Sequence, residues 1–179
     1  MAAIIHSGRS FNLAKIVRLS SAALLGLALG REAFAQTPLA DTVTWSIAAP
    51  STASVKPGSR VVLSVRGAVV DGWHVYALDQ LPGGPIPLRA GLDPTEAATA
   101  DGAATGTPSI RAHDPSFDLD TQYYDKDFTL SVPVRISAKL AAGPQEIPVN
   151  VRFQSCNGKT CRPPKTARLI ASVNVQAGG

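Results

Sequence analysis

The sequence predicts an all-β sandwich. Short segments rich in Val, Ile, Thr and aromatic residues recur along the chain, alternating between apolar and polar positions. Pro/Gly punctuation separates them, and long helical periodicity is missing. Strands are expected at residues 42–48, 60–67, 73–78, 128–136, 147–154 and 166–175. In the second, Val61, Leu63 and Val65 share one face, and Val62, Ser64 and Arg66 share the other. In the fourth, Leu130, Val132, Val134 and Ile136 alternate with Thr129, Ser131, Pro133 and Arg135. Val149, Val151 and Phe153 repeat the pattern. Successive side chains leave a strand on opposite faces, so this period of two marks one buried and one more polar face. Lys56-Pro57-Gly58-Ser59 is expected to turn the chain between the first two strands, and residues 83–87 (GGPIP) to form a stiff loop. Residues 93–106 read as an exposed Ala/Thr/Gly-rich connection and residues 113–120 as a polar loop carrying Phe117. The tail beyond Val175 is expected to fray.

The first 35 residues read as a secretory signal. Arg9, Lys15 and Arg18 form a basic start, residues 20–30 (SSAALLGLALG) an apolar stretch, and Ala33-Phe34-Ala35 a small-residue cleavage site. The apolar stretch is shorter than the ~20 residues a membrane span needs. A retained anchor is the alternative, and no later stretch is long and apolar enough to span. Cleavage leaves residues 36–179 as one domain of adequate size for a core. The leader takes four of the 17 basic and one of the 13 acidic residues with it. The remainder is nearly neutral and has no Lys/Arg cluster, which argues against nucleic acid. Nothing in the sequence argues for an obligate oligomer, so a monomer is expected. Export to the periplasm would place the cysteines where disulfides persist.

The two cysteines, Cys156 and Cys161, are five positions apart. Closing so short a loop contributes roughly 2 kcal/mol at most in the chain-entropy view, so the pair is a poor staple. Residues 149–154 lead in as a strand, and Asn157-Gly158 is a strong turn dipeptide. The cysteines should flank a four-residue hairpin turn and face each other across two strands, with Cα atoms ~4.5 Å apart. That spacing lies at the short edge of disulfide geometry. Lys159 and Arg162 add positive charge that favours thiolate, and Pro163-Pro164 stiffens the exit. Spacing and compartment leave three readings open: a structural clip, a redox pair, or a metal site. The last would need His74 and His113 as further ligands, and neither lies at finger-like spacing.

Three stretches carry a resemblance. They are residues 72–76 (GWHVY) with 83–87 (GGPIP); the aromatic-acidic stretch 117–128 containing Tyr123-Tyr124; and residues 153–156 (FQSC) followed by 161–164 (CRPP). In this order and spacing, over residues 43–175, the chain resembles the N-terminal periplasmic domain of the thiol-disulfide interchange protein DsbD. The resemblance implies an immunoglobulin-like β-sandwich that relays electrons, with no cofactor beyond its cysteine pair. It implies Cys161 as the nucleophile on a client disulfide, Cys156 as the resolving thiol, and a Cys156–Cys161 disulfide in the oxidised form. Phe117 falls at the position of an aromatic cap over the cysteines, with ordinary core packing as its alternative. Tyr124 or Tyr123 is a further shielding candidate, with core packing as the favoured alternative; Trp73 and Tyr76 are expected in the core, and Asp114 and Asp118 are candidates for raising the thiol pKa. The implied partners are a polytopic membrane thiol reductase as electron donor and oxidised periplasmic thioredoxin-like or disulfide-isomerase proteins as clients. The chain departs from the best-known members in two respects. Four residues separate its cysteines, against five or more there, and no membrane domain or thioredoxin-like domain follows. The donor is therefore expected to be a separate protein.

Overall fold

Alternating strands with one apolar face must bury that face against a second sheet, and this requirement organises the chain. The computed structural model describes residues 41–48 and 54–177. The expected signal segment and its cleavage site lie outside the described residues. The strands are β1 (Val43–Ala48), β2 (Arg60–Val69), β3 (His74–Tyr76), β4 (Arg89–Leu92), β5 (Ala98–Ala100) and β6 (Thr105–Gly106). They continue as β7 (Ile110–Asp114), β8 (Leu119–Tyr124), β9 (Phe128–Ile136), β10 (Gly143–Phe153), β11 (Ser155–Cys156) and β12 (Lys165–Val175). One sheet runs β1-β2-β9-β5, with β6 also on β9; a second runs β12-β10-β4; a third, smaller one runs β11-β3-β8-β7. Every strand pairing is antiparallel. The architecture is an immunoglobulin-like β-sandwich.

The expected faces are the observed ones. Val61, Leu63, Val65, Leu130, Val132, Val134 and Ile136 meet Ile147, Val149, Val151 and Phe153 in one core. Register is fixed because a slip of one residue would turn this whole set outward. Gly67 makes room for a ring: a Cβ there would lie 2.6 Å from Phe128, which packs edge-on to Trp45.

Four expectations are corrected. Residues 93–106 are not a bare connection, because β5 and β6 both pair with β9 and Ala98 is buried. Strands of three and two residues are too short to show a period. The polar loop expected at residues 113–120 is confined to the turn 115–118, which carries Phe117; residues 113–114 and 119–120 are the paired ends of β7 and β8, whose polar edge strand carries no alternation. The expected strand 73–78 is pared to β3, because the chain bends away at Ala77. There the amide donates to Gln122 O and the carbonyl accepts from Leu88 N. The tail is held one residue past β12: Gln176 N donates to Val55 O and its side chain to Ser54 Oγ. The turn at Lys56–Ser59 sits directly before β2, with Gly58 at φ 75°.

Candidate functional site

The site lies where the chain changes sheets. β10 ends at Phe153; Gln154 O accepts from Tyr76 N, and β11 then pairs with β3, placing Ser155 opposite Val75 and Cys156 opposite His74. Alternation divides this small sheet into two faces. Val75, Tyr124 and Ser155 turn toward the interior, where Ser155 and Thr42 share a buried hydroxyl hydrogen bond of 2.7 Å. Cys156, His74, Tyr76 and Tyr123 lie on the other face.

The turn after Cys156 is built by Asn157. Its Oδ1 accepts from the amides of Lys159 and Thr160, its own N donates to Thr160 O, and Gly158 takes φ 76°. Of the two turn residues only glycine needs positive φ here. The hairpin sets Cys156 against Cys161 with Cα atoms 4.1 Å apart, and the sulfurs are bonded. The two are not equivalent: Cys156 is 1% exposed, whereas Cys161 is half-exposed.

A polar chain runs from the hairpin into the sheet. The Tyr76 hydroxyl lies 3.9 Å from Cys161 Sγ and donates to Asp114 Oδ2 at 2.7 Å. Asp114 closes β7; its Oδ1 accepts from Ser116 N. Burial works to raise the Asp114 carboxyl, but hydrogen bonds from Tyr76 and Ser116 and the charge of His74 outweigh it and hold the group below its ordinary value. Burial first, then Asp114 itself, pushes the Tyr76 hydroxyl far upward, so it stays protonated and donating. Phe117, in the turn after Asp114, stands edge-on to the Tyr76 ring with centroids 5.8 Å apart.

The candidates therefore separate. Cys156, Cys161, Asp114 and Phe117 converge through Tyr76. Tyr124 does not join them: it is in the core, stacked on Phe128 at 4.1 Å, with its hydroxyl donating to Thr107 O. Its place one residue beyond Tyr123 puts it on the opposite face. Asp118 is a second correction. It is exposed at φ 53°, 3.5 Å from His113 Nε2, and no described contact brings it to a sulfur. Lys159 is exposed on the turn. Arg162 lies over Trp73 at 5.1 Å, so Trp73 supports the hairpin exit rather than only the core. Among the described residues no group of three His, Cys, Asp or Glu is placed to hold a metal. Sequence reasoning missed Tyr76, assigning it to the core. It is indeed 0% exposed, but its hydroxyl belongs to the site. The period of two, which places it on one face with His74, was the available signal.

A β-sandwich that presents a bonded cysteine pair on a half-exposed hairpin has the arrangement of a thiol–disulfide exchange domain. Residues 44–172 match the family described as thiol:disulfide interchange protein DsbD, N-terminal, and the chain belongs to that family. Among solved structures it is similar to the N-terminal periplasmic domain of ScsB from Proteus mirabilis. The identity is 14%, with 72% of this chain and 44% of that one covered and a TM-score of 0.45. It is also similar to the major pilin subunit BcpA of Bacillus cereus, at 12% identity, 75% and 39% coverage, and a TM-score of 0.39. The chain thus spans less than half the length of either structure. No curated protein matches it.

Proposed function

We propose that this chain is an exported periplasmic domain, residues 36–179, that relays reducing equivalents through Cys156 and Cys161. The donor is a separate membrane-embedded thiol reductase, and the acceptors are oxidised thioredoxin-like or disulfide-isomerase proteins. The observation that carries the reading is the unequal exposure of the two cysteines. An attacking sulfur must reach a partner, whereas a resolving sulfur needs to reach only its neighbour.

The donor dithiol first reduces the Cys156–Cys161 bond, and the donor is oxidised to a disulfide. The Cys161 thiolate then attacks one sulfur of the client disulfide, forming a mixed disulfide and releasing the other client sulfur as a thiolate that takes a proton. Cys156 attacks Cys161 Sγ, the bond to the client breaks, and the client leaves as a dithiol. Two electrons and two protons have passed to the client. Asp114 and Tyr76 set the polarity beside Cys161, Lys159 and Arg162 supply positive charge, and Phe117 restricts access to the pair until a partner docks.

The test is the reduction potential of the purified domain together with its reaction toward a thioredoxin-like protein. A potential well above about −300 mV is expected, and Cys156→Ser should trap a mixed disulfide through Cys161. A potential below that value, with no trapped complex, would refute the relay.

A further inference from the structure

Resolution of a mixed disulfide needs the Cys156 sulfur as a thiolate, yet Cys156 is 1% exposed. Enclosure penalises the charged form and leaves little water to take the proton. A base within the site would remove that obstacle.

We infer that His74 is that base. It is the antiparallel partner of Cys156 in the β3–β11 pairing, on the same face. Directly opposed residues have Cβ atoms about 4.5–5.5 Å apart, within reach of an imidazole and a released thiol. The ring is held from two sides, edge-on to Tyr76 at 5.1 Å and tilted against Tyr123 at 4.9 Å. Its Nε2 is buried and has no hydrogen-bond partner among the described residues. A buried ring nitrogen left unpartnered is costly, and a proton donor that appears only after the disulfide opens would satisfy it.

The charge state is the right one for a base. Burial lowers the His74 pKa, and Asp114 and Asp125 oppose that only in part. Every element packed around the ring contributes to this setting. β3 brings Tyr76, β7 brings Asp114, β8 and its exit bring Tyr123 and Asp125, and the hairpin brings Cys156, with Arg162 on Trp73 next in sequence to His74. Tyr76 is protonated and bound to Asp114, so neither competes for the thiol proton.

The step balances. In the mixed disulfide His74 Nε2 takes the proton of the Cys156 thiol. The thiolate attacks Cys161 Sγ; the Cys156–Cys161 bond forms as the bond to the client sulfur breaks. The imidazolium then returns the proton to the departing sulfur. The role rests on the relay reading for its biological substrate, but the proton transfer can be measured without any client protein.

The experiment loads reduced protein with dithionitrobenzoate. The first thionitrobenzoate released reports attack by Cys161, and the second reports intramolecular attack by Cys156. His74→Phe keeps an aromatic ring between Tyr76 and Tyr123. It should leave the first phase unchanged and slow the second by roughly 10²-fold, the low end of general-base contributions. The wild-type second phase should fall in acid as His74 protonates, and this bend should vanish in the variant. His74→Gln, which can hydrogen-bond but is not a base at these pH values, should behave like His74→Phe and covers the case in which the larger ring unfolds the sheet. An unchanged second phase and an unchanged pH profile in a folded variant would overturn the role. Failure of the relay reading alone would appear differently. The dithionitrobenzoate phases would depend on His74 as expected while oxidised thioredoxin-like proteins went unreduced.

Discussion

Replacing Tyr76 by Phe removes one oxygen from a side chain that is 0% exposed and leaves its ring in place. Packing against Phe117 and His74 is retained, so the loss is confined to the hydroxyl. That hydroxyl is the partner of Asp114 Oδ2, at 2.7 Å, and Asp114 is 7% exposed. A hydrogen bond to a charged group contributes about 1.5–3 kcal/mol, and more of the cost falls on the carboxylate left behind than on the bond itself. The Ser116 amide on Oδ1 remains and limits the damage. The expected loss is about 2 kcal/mol at neutral pH, which for a urea m-value of about 1–3 kcal/mol/M moves the midpoint by roughly 1 M. The sign of the pH dependence follows from Asp114. Its folded pKa is depressed, so its contribution is present above the ordinary carboxyl value near 4 and fades as pH falls through the folded value. Tyr76 is the chief lowering influence, so the deficit of Tyr76→Phe should be largest near neutrality and narrow in acid. Urea titrations at neutral and acidic pH measure both effects. A midpoint unchanged at pH 7, or a deficit of the same size below pH 4, would refute the reasoning.

Phe117→Ala should speed alkylation of the reduced pair, mainly at Cys161, while costing less than the ~3–5 kcal/mol of a fully buried Phe because the ring is only half-buried; an unchanged alkylation rate would count against a shielding role. Asn157→Ala deletes the acceptor for two turn amides. Loss of about 1 kcal/mol of hairpin preorganisation should make the disulfide easier to reduce, by roughly 20 mV in a glutathione titration. Gly106→Ala would drive a methyl group into the Tyr124 hydroxyl and to 3.2 Å from Leu130. A drop of about 1–3 kcal/mol in thermal or urea unfolding is expected, without change in thiol reactivity.

Much of the scaffold was legible because its physics is local. Val65, between Ser64 and Arg66, and Val151, between Asn150 and Arg152, each have a polar neighbour on either side, which is what a strand with one face in water requires. The hairpin between the cysteines was legible for the same reason, since Asn157-Gly158 specifies a turn within four residues. β5 and β6 were not, because pieces of three and two residues are held by β9 rather than by a pattern of their own. The choice left open for Tyr124, shield or core, and the misplacement of Asp118 share one cause: which face of β8, and which side of a turn, is settled only once register is known.

By itself, the sequence determined the all-β class, the faces of the long strands, the cysteine hairpin and the family to which the chain belongs. Spacing, alternation and turn chemistry are properties of neighbours in the chain. The tertiary structure alone decided which cysteine is enclosed and which is half-exposed, that Tyr76 links Cys161 to Asp114, and that His74 stands opposite Cys156. Those are relations between β3, β7 and β11, segments separated by tens of residues. They exist only because the chain crosses from one sheet to another at Gln154, and no local pattern encodes where that crossing lands.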